Sequence, residues 1–167
     1  MAENPIGEAK QAGVDPVFLN QVREGLIAVV EGTPGRPGTD QNPPTRTVQG
    51  TGARARVTGL SVAGKTGTSQ VVRLDVVESM AEQDIPIRYR DHALFAAYAP
   101  TEAPEIAVAV VVEHAGEGGG TVAAPIARAV IAQWFEKKRA RERESEAGAD
   151  VVQQQAVVHP VTQSERP

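Results

Sequence analysis

The sequence predicts an α+β protein, a few antiparallel strands with one helix before them and one after. Three observations lead there. An apolar stripe at three- and four-residue steps follows Asp15-Pro16. Two strand-like runs, His92–Ala99 and Glu105–Glu113, stand too close together for a crossover. A second helical stripe begins at Ala123. Helices grouped at the ends of a run of strands, rather than alternating with them, mark layered α+β architecture.

Asp15 is an N-cap acceptor and Pro16 suits the first helical position. Phe18, Leu19, Val22, Leu26, Ile27 and Val30 then form one apolar face, which Gly32 and Pro34 end. Residues 33–52 are rich in Gly, Pro and Thr and read as a loop. From Ala53 the pattern shifts to short β-branched runs, with a strand expected over Val62–Val72. Asp75–Arg90 is a polar insert, either a surface loop or a short helix. His92–Ala99 is strand-like, and the short link from Pro100 to Ile106 predicts an antiparallel hairpin. Glu105–Glu113, with a run of valine and alanine between its end glutamates, reads as a fully buried strand. Gly116–Gly120 reads as a mobile loop. Ala123–Lys138 reads as a helix with Ile126, Val130, Ile131 and Trp134 on one face. The chain divides into a folded portion, 1–138, and a charged tail, 139–167, expected to be disordered.

Composition narrows the function. With 167 residues there is room for one domain and a tail. Apolar residues reach 41% but aromatics only 4%, so the core must be built from Val, Ala, Ile and Leu. A net charge of -4 provides no basic field for nucleic acid. Cysteine is absent, which excludes disulfides, thiolate metal sites and a cysteine nucleophile. The three histidines, His92, His114 and His159, have no acidic cluster beside them, so no metal site is expected. Met1–Pro5 has no signal-peptide pattern and no stretch is apolar enough to span a membrane, so as written the chain is expected to be neither exported nor inserted.

The densest chemistry lies in Val62-Ala63-Gly64-Lys65-Thr66-Gly67-Thr68-Ser69-Gln70. Residues 59–66 match the phosphate-loop pattern GxxxxGK[ST] letter for letter. That reading needs a helix to begin at the lysine, and Gly67, Thr68, Ser69, Val71 and Val72 are poor helix formers. On a strand, the same segment could pair with a peptide, with Lys65 as a fixed cation and the hydroxyls of Thr66 and Thr68 on a terminal carboxylate.

Lys65-Thr66-Gly67 resembles the third signature of the serine penicillin-binding proteins and β-lactamases. Its surroundings resemble the class B transpeptidases of the elongation type, the penicillin-binding protein 2 group. They include Gly50-Thr51-Gly52, Asp91–Pro100, Ile106–Glu113, the glycine loop and Ala123–Ala127. The likeness runs from about Val14 to about Lys138 and implies the C-terminal part of a β-lactamase/transpeptidase-like fold. It implies D,D-transpeptidase chemistry on a peptidoglycan stem ending in D-Ala-D-Ala, affinity for β-lactams, and no cofactor. It also implies a parent anchored in the cytoplasmic membrane with this domain outside.

By that likeness Lys65 orients a partner hydroxyl and attracts the substrate carboxylate, which Thr66 and Thr68 bind. Gly67 lets the substrate pair with the strand, and the Thr68 backbone N–H forms half of an oxyanion hole. The family's other signatures, Ser-x-x-Lys and Ser-x-Asn, are absent: none of Ser61, Ser69, Ser79, Ser145 or Ser164 has lysine three or asparagine two residues on. The expectation is a substrate-binding wall without a nucleophile, inactive alone, partnered by the rest of a transpeptidase domain if that is encoded separately. The alternatives are a non-catalytic peptide-binding or interaction module and, more weakly, nucleotide binding at 59–66.

Overall fold

The computed structural model describes residues 13–35 and 46–157. The segment 36–45 of the expected loop, residues 1–12, and His159 with the rest of 158–167 lie outside the described residues. The elements run α1 (Pro16–Glu31), β1 (Ala63–Ser69), a short α2 (Leu74–Val77), β2 (His92–Ala99), β3 (Ile106–Val112) and α3 (Ala123–Val157). The architecture is α+β, with a three-stranded antiparallel sheet ordered β1-β2-β3.

The capping residues act as their types dictate. Asp15 Oδ1 accepts the Val17 N–H at 2.8 Å, and Pro16 opens α1. Gly32, at φ 78°, closes it and returns its N–H to Ala28 O. The last carbonyls of α1 receive Arg56: Nε donates to Val30 O at 2.9 Å and an Nη to Glu31 O at 2.6 Å.

Register follows from burial. Phe95 of β2 pairs with Thr66 on one side and Val110 on the other, and this face lies under α3. The opposite face carries the row Lys65, Ala96 and Ala109, all exposed. Phe95, Ile131, Val30 and Val62 are the largest fully buried side chains. Between them lie alanines, among them Ala93, Ala97, Ala99, Ala124 and Ala127, so the helix and sheet approach closely over small side chains.

Several expectations are corrected. β1 is shorter than Val62–Val72, and Val71 is exposed. β3 is not fully buried: its residues alternate between half-buried and exposed, with Val111 60% exposed, because β3 is an outer strand covered on one face only. The helical stripe in α3 is displaced by one residue. Ala124, Ala127, Ile131 and Phe135 face the sheet, while Ile126, Val130 and Trp134 are exposed. Both sets recur at three or four residues, so periodicity cannot rank them. The shallow sheet surface selects the set that begins with alanines. On α1, Val30 is buried and Leu26 and Ile27 are half-buried, but Phe18, Leu19 and Val22 are exposed because no described element reaches them.

The insert at 75–90 resolves into α2 and two single 3₁₀ turns, Glu82–Asp84 and Ile87–Tyr89. Helix α3 continues past Lys138, where the tail was expected to begin, as far as Val157, and residues 141–147 are exposed. Arg, Glu, Lys and Ala are strong helix formers, and Lys138–Glu142 adds an i,i+4 ion pair. The glycine loop is packed rather than loose. A Cβ at Gly119 would overlap the Leu94 carbonyl oxygen and stand 2.7 Å from Gly67 O. The loop also starts α3, its Gly118 and Gly119 carbonyls accepting from Thr121 to Ala124.

Candidate functional site

β1 is an edge strand whose outer side has no strand partner among the described residues. Its chemistry-bearing residues are placed by strand alternation. Lys65 pairs with Ala96, Thr66 with Phe95, Gly67 with Leu94 and Thr68 with Ala93. Lys65 therefore projects from one face, and Thr66 and Thr68 from the other.

Lys65 is exposed, and its ammonium folds back along the edge to donate to Thr66 O at 2.8 Å. On its own face lies an open hollow of about 400 Å³ walled by Leu26, Ala96, Tyr98, Ala107 and Ala109. Four of these five are small or aliphatic, so the cation stands at the rim of an apolar floor. On the other face Thr66 is half-buried, its Oγ1 3.3 Å from Thr51 Oγ1. Thr68 is exposed, with Gly118 beside its hydroxyl. The four residues singled out in the sequence thus share one open strand edge, lysine and threonines approaching it from opposite faces. A second hollow of about 400 Å³, walled by Val72, Ile85, Tyr89, Arg90 and Glu117, contains none of them.

The remaining candidates resolve into structural roles. The phosphate-loop reading required a helix at Lys65, and an edge strand runs there instead. Without helical N–H groups converging on one point, that cradle is lost. Ser61 Oγ accepts both the N–H and the hydroxyl of buried Thr101, at 3.1 and 3.0 Å, and so anchors the turn after β2. His92 Nδ1 accepts the His114 N–H at 2.9 Å, and the two rings meet edge to face. These two histidines close the end of the sheet. Among the described residues no three His, Cys, Asp or Glu gather as metal ligands.

Two residues escaped sequence reasoning. Thr51 is legible in the sequence only as part of Gly50-Thr51-Gly52, and its hydroxyl meets Thr66 across 15 positions. Arg54 reaches Thr121 O at 3.1 Å and ties the glycine loop to the turn at 53–55. Flanking glycines were the available signal for Thr51; Arg54 had none.

The family model described as the penicillin-binding protein transpeptidase domain matches residues 7–132, more than half the chain. The chain belongs to this family. This transpeptidase-family chain is 40% identical over 131 residues to the peptidoglycan D,D-transpeptidase MrdA of Acinetobacter baumannii, covering 78% of this chain and 16% of that protein. It is 41% identical over 75 residues to MrdA of Salmonella typhimurium, covering 45% and 12%. Penicillin-binding protein 2 of Pseudomonas aeruginosa, whose crystal structure is a complex with WCK 5153, superposes with a TM-score of 0.53 at 31% identity, covering 78% of this chain and 22% of that one. The chain thus spans 12–16% of the length of these curated relatives. No described helix is long and apolar enough to cross a membrane.

Proposed function

We propose that β1 is the substrate-binding strand of a peptidoglycan D,D-transpeptidase. It grips the C-terminal carboxylate of a D-Ala-D-Ala stem, or the equivalent carboxylate of a β-lactam. The observation that carries this is the open edge of β1 with Lys65, Thr66 and Thr68 converging on it. In an antiparallel pair every second residue turns its N–H and C=O away from its partner strand. Thr66 O, bonded to Lys65 Nζ, supports an outward phase for Thr66 and hence for Thr68. A substrate could then lie along the edge as an added strand. Lys65 supplies positive potential, the hydroxyls of Thr66 and Thr68 bond the carboxylate, Gly67 leaves room for the paired backbone, and the Thr68 N–H stabilises the oxyanion.

The nucleophile is not among these residues, since no serine stands in Ser-x-x-Lys. Acyl transfer by the whole enzyme, outside the cytoplasmic membrane, requires the rest of a transpeptidase domain. The exposed Val17, Phe18, Leu19 and Val22 on α1 suit the surface on which that remainder packs.

An acyl-D-Ala-D-Ala peptide titrated into this chain by NMR should perturb β1, and Lys65→Ala should weaken binding at least about tenfold, as expected for loss of a charge-assisted contact. Labelled penicillin should leave no covalent adduct. Binding that ignores both Lys65 and amidation of the peptide's carboxylate would instead favour a non-catalytic interaction module, and a serine adduct would overturn the missing nucleophile.

A further inference from the structure

We propose that Thr51 is a positioning residue for this strand: its hydroxyl holds Thr66 in one rotamer and supplies the proton that turns the Thr66 hydroxyl toward a ligand carboxylate. The proposal rests on the reading of β1 as a substrate strand and extends it to a segment outside the strand.

The backbone around Thr51 is pinned from three directions. A Cβ at Gly50 would overlap the Val29 carbonyl oxygen at the end of α1, and Gly52 donates its N–H to that same oxygen at 2.8 Å. A Cβ at Gly52 would stand 2.7 Å from the Phe95 ring. On the remaining side a Cβ at Gly120 would overlap Thr51 O, so the glycine loop presses directly on this residue. Of three consecutive residues, two cannot carry a side chain, and the third sends a hydroxyl to Thr66 at 3.3 Å.

Thr66 is held at both branches of its β-carbon. A Cβ at Gly120 would lie 3.4 Å from Thr66 Cγ2, so the methyl faces the glycine loop while Oγ1 faces Thr51. A β-branched side chain has few χ1 choices, and these two contacts select one. Proton direction follows from the ligand. A carboxylate only accepts hydrogen bonds, so Thr66 must donate to it. Thr66 can then only accept from Thr51, giving the order Thr51 O–H to Thr66 O–H to carboxylate.

The test joins two measurements on this chain. Three-bond couplings from N and C′ to Cγ2 of Thr66, in the ligand-free protein, should report one χ1 rotamer in the wild type and in Thr51→Ser, and averaging in Thr51→Val. In titrations with acyl-D-Ala-D-Ala, Thr51→Val should weaken binding about 3- to 10-fold, as for loss of one neutral hydrogen bond. The same change in a Thr66→Val background should add nothing. Unchanged couplings in Thr51→Val overturn the positioning role while peptide binding keeps the strand reading intact. Additive losses overturn it too, since Thr51 would then touch the ligand itself. Couplings that respond as expected in a chain that binds no peptide would uphold the Thr51–Thr66 link and overturn the substrate reading instead.

Discussion

Lys138 shows how a single pair ties helix to sheet. Its ammonium donates to the Glu105 carboxylate at the start of β3, and it lies 5.8 Å over the Trp134 ring. The hydrogen bond it donates to Glu105 raises its pKa above the usual lysine value, against a lesser opposing desolvation, with the charges of Glu105 and Glu142 adding to the rise. A pKa raised in the folded state gives stability that is complete below the ordinary lysine value, ~10.4, and lost as pH climbs through the folded-state value. Thermal melts of wild type and Glu105→Gln should therefore differ by a constant small amount across neutral pH and converge above about pH 10.4. A gap that persisted in strong alkali would remove the ion pair as its cause. Gly119 makes the second residue-scale case. Alanine there meets the Leu94 and Gly67 carbonyls, both backbone, so neither can swing aside. Gly119→Ala should cost about 1–3 kcal/mol in urea denaturation, as overpacking does. No change would mean that the loop can retreat from β1.

At the scale of elements, α3 decides which stripe is core. Ile131 is fully buried and Val130 is 45% exposed, although they are neighbours. Ile131→Ala should lose about 2–5 kcal/mol by guanidinium unfolding, and Val130→Ala no more than about 0.5 kcal/mol. Equal losses would mean that a partner covers the Val130 face in solution. Sequence located the helix and Ile131 in its core, but grouped with it Ile126, Val130 and Trp134, which are larger than Ala124 and Ala127 and are exposed. The sheet's own surface settled it: with Ala93, Ala97 and Ala99 forming a shallow floor, the helix seats closest through its alanines. The hairpin was easier to read. The link from Pro100 to Ile106 is too short for anything but an antiparallel return, and β2 and β3 pair that way from Ala99↔Ile106 to Ala93↔Val112.

At the scale of the whole molecule, the sheet among the described residues has three strands, and large side chains remain uncovered on α1, β3 and α3. Exposed apolar side chains of this size favour association where they lie together. Sedimentation should show self-association that rises with concentration, and Phe18→Glu should reduce it while changing unfolding free energy by less than about 0.5 kcal/mol, because Phe18 is 60% exposed. A monomer at all concentrations would mean these faces do not find one another.

Sequence alone was enough to identify the helix start at Asp15-Pro16, the hairpin, the lack of cysteine and of any Ser-x-x-Lys run, and the cluster Lys65-Thr66-Gly67. Each is a local property, carried by neighbouring residues and legible from their order. Tertiary structure decided what depends on distant segments meeting. It made the strand that carries Lys65 and the two threonines an outer edge of the sheet, and made a packed support of the glycine loop. It exposed half of α1, and it brought Thr51 to Thr66 from another part of the chain. Burial and hydroxyl contact are set by what packs across the gap, and no spacing along the chain encodes that.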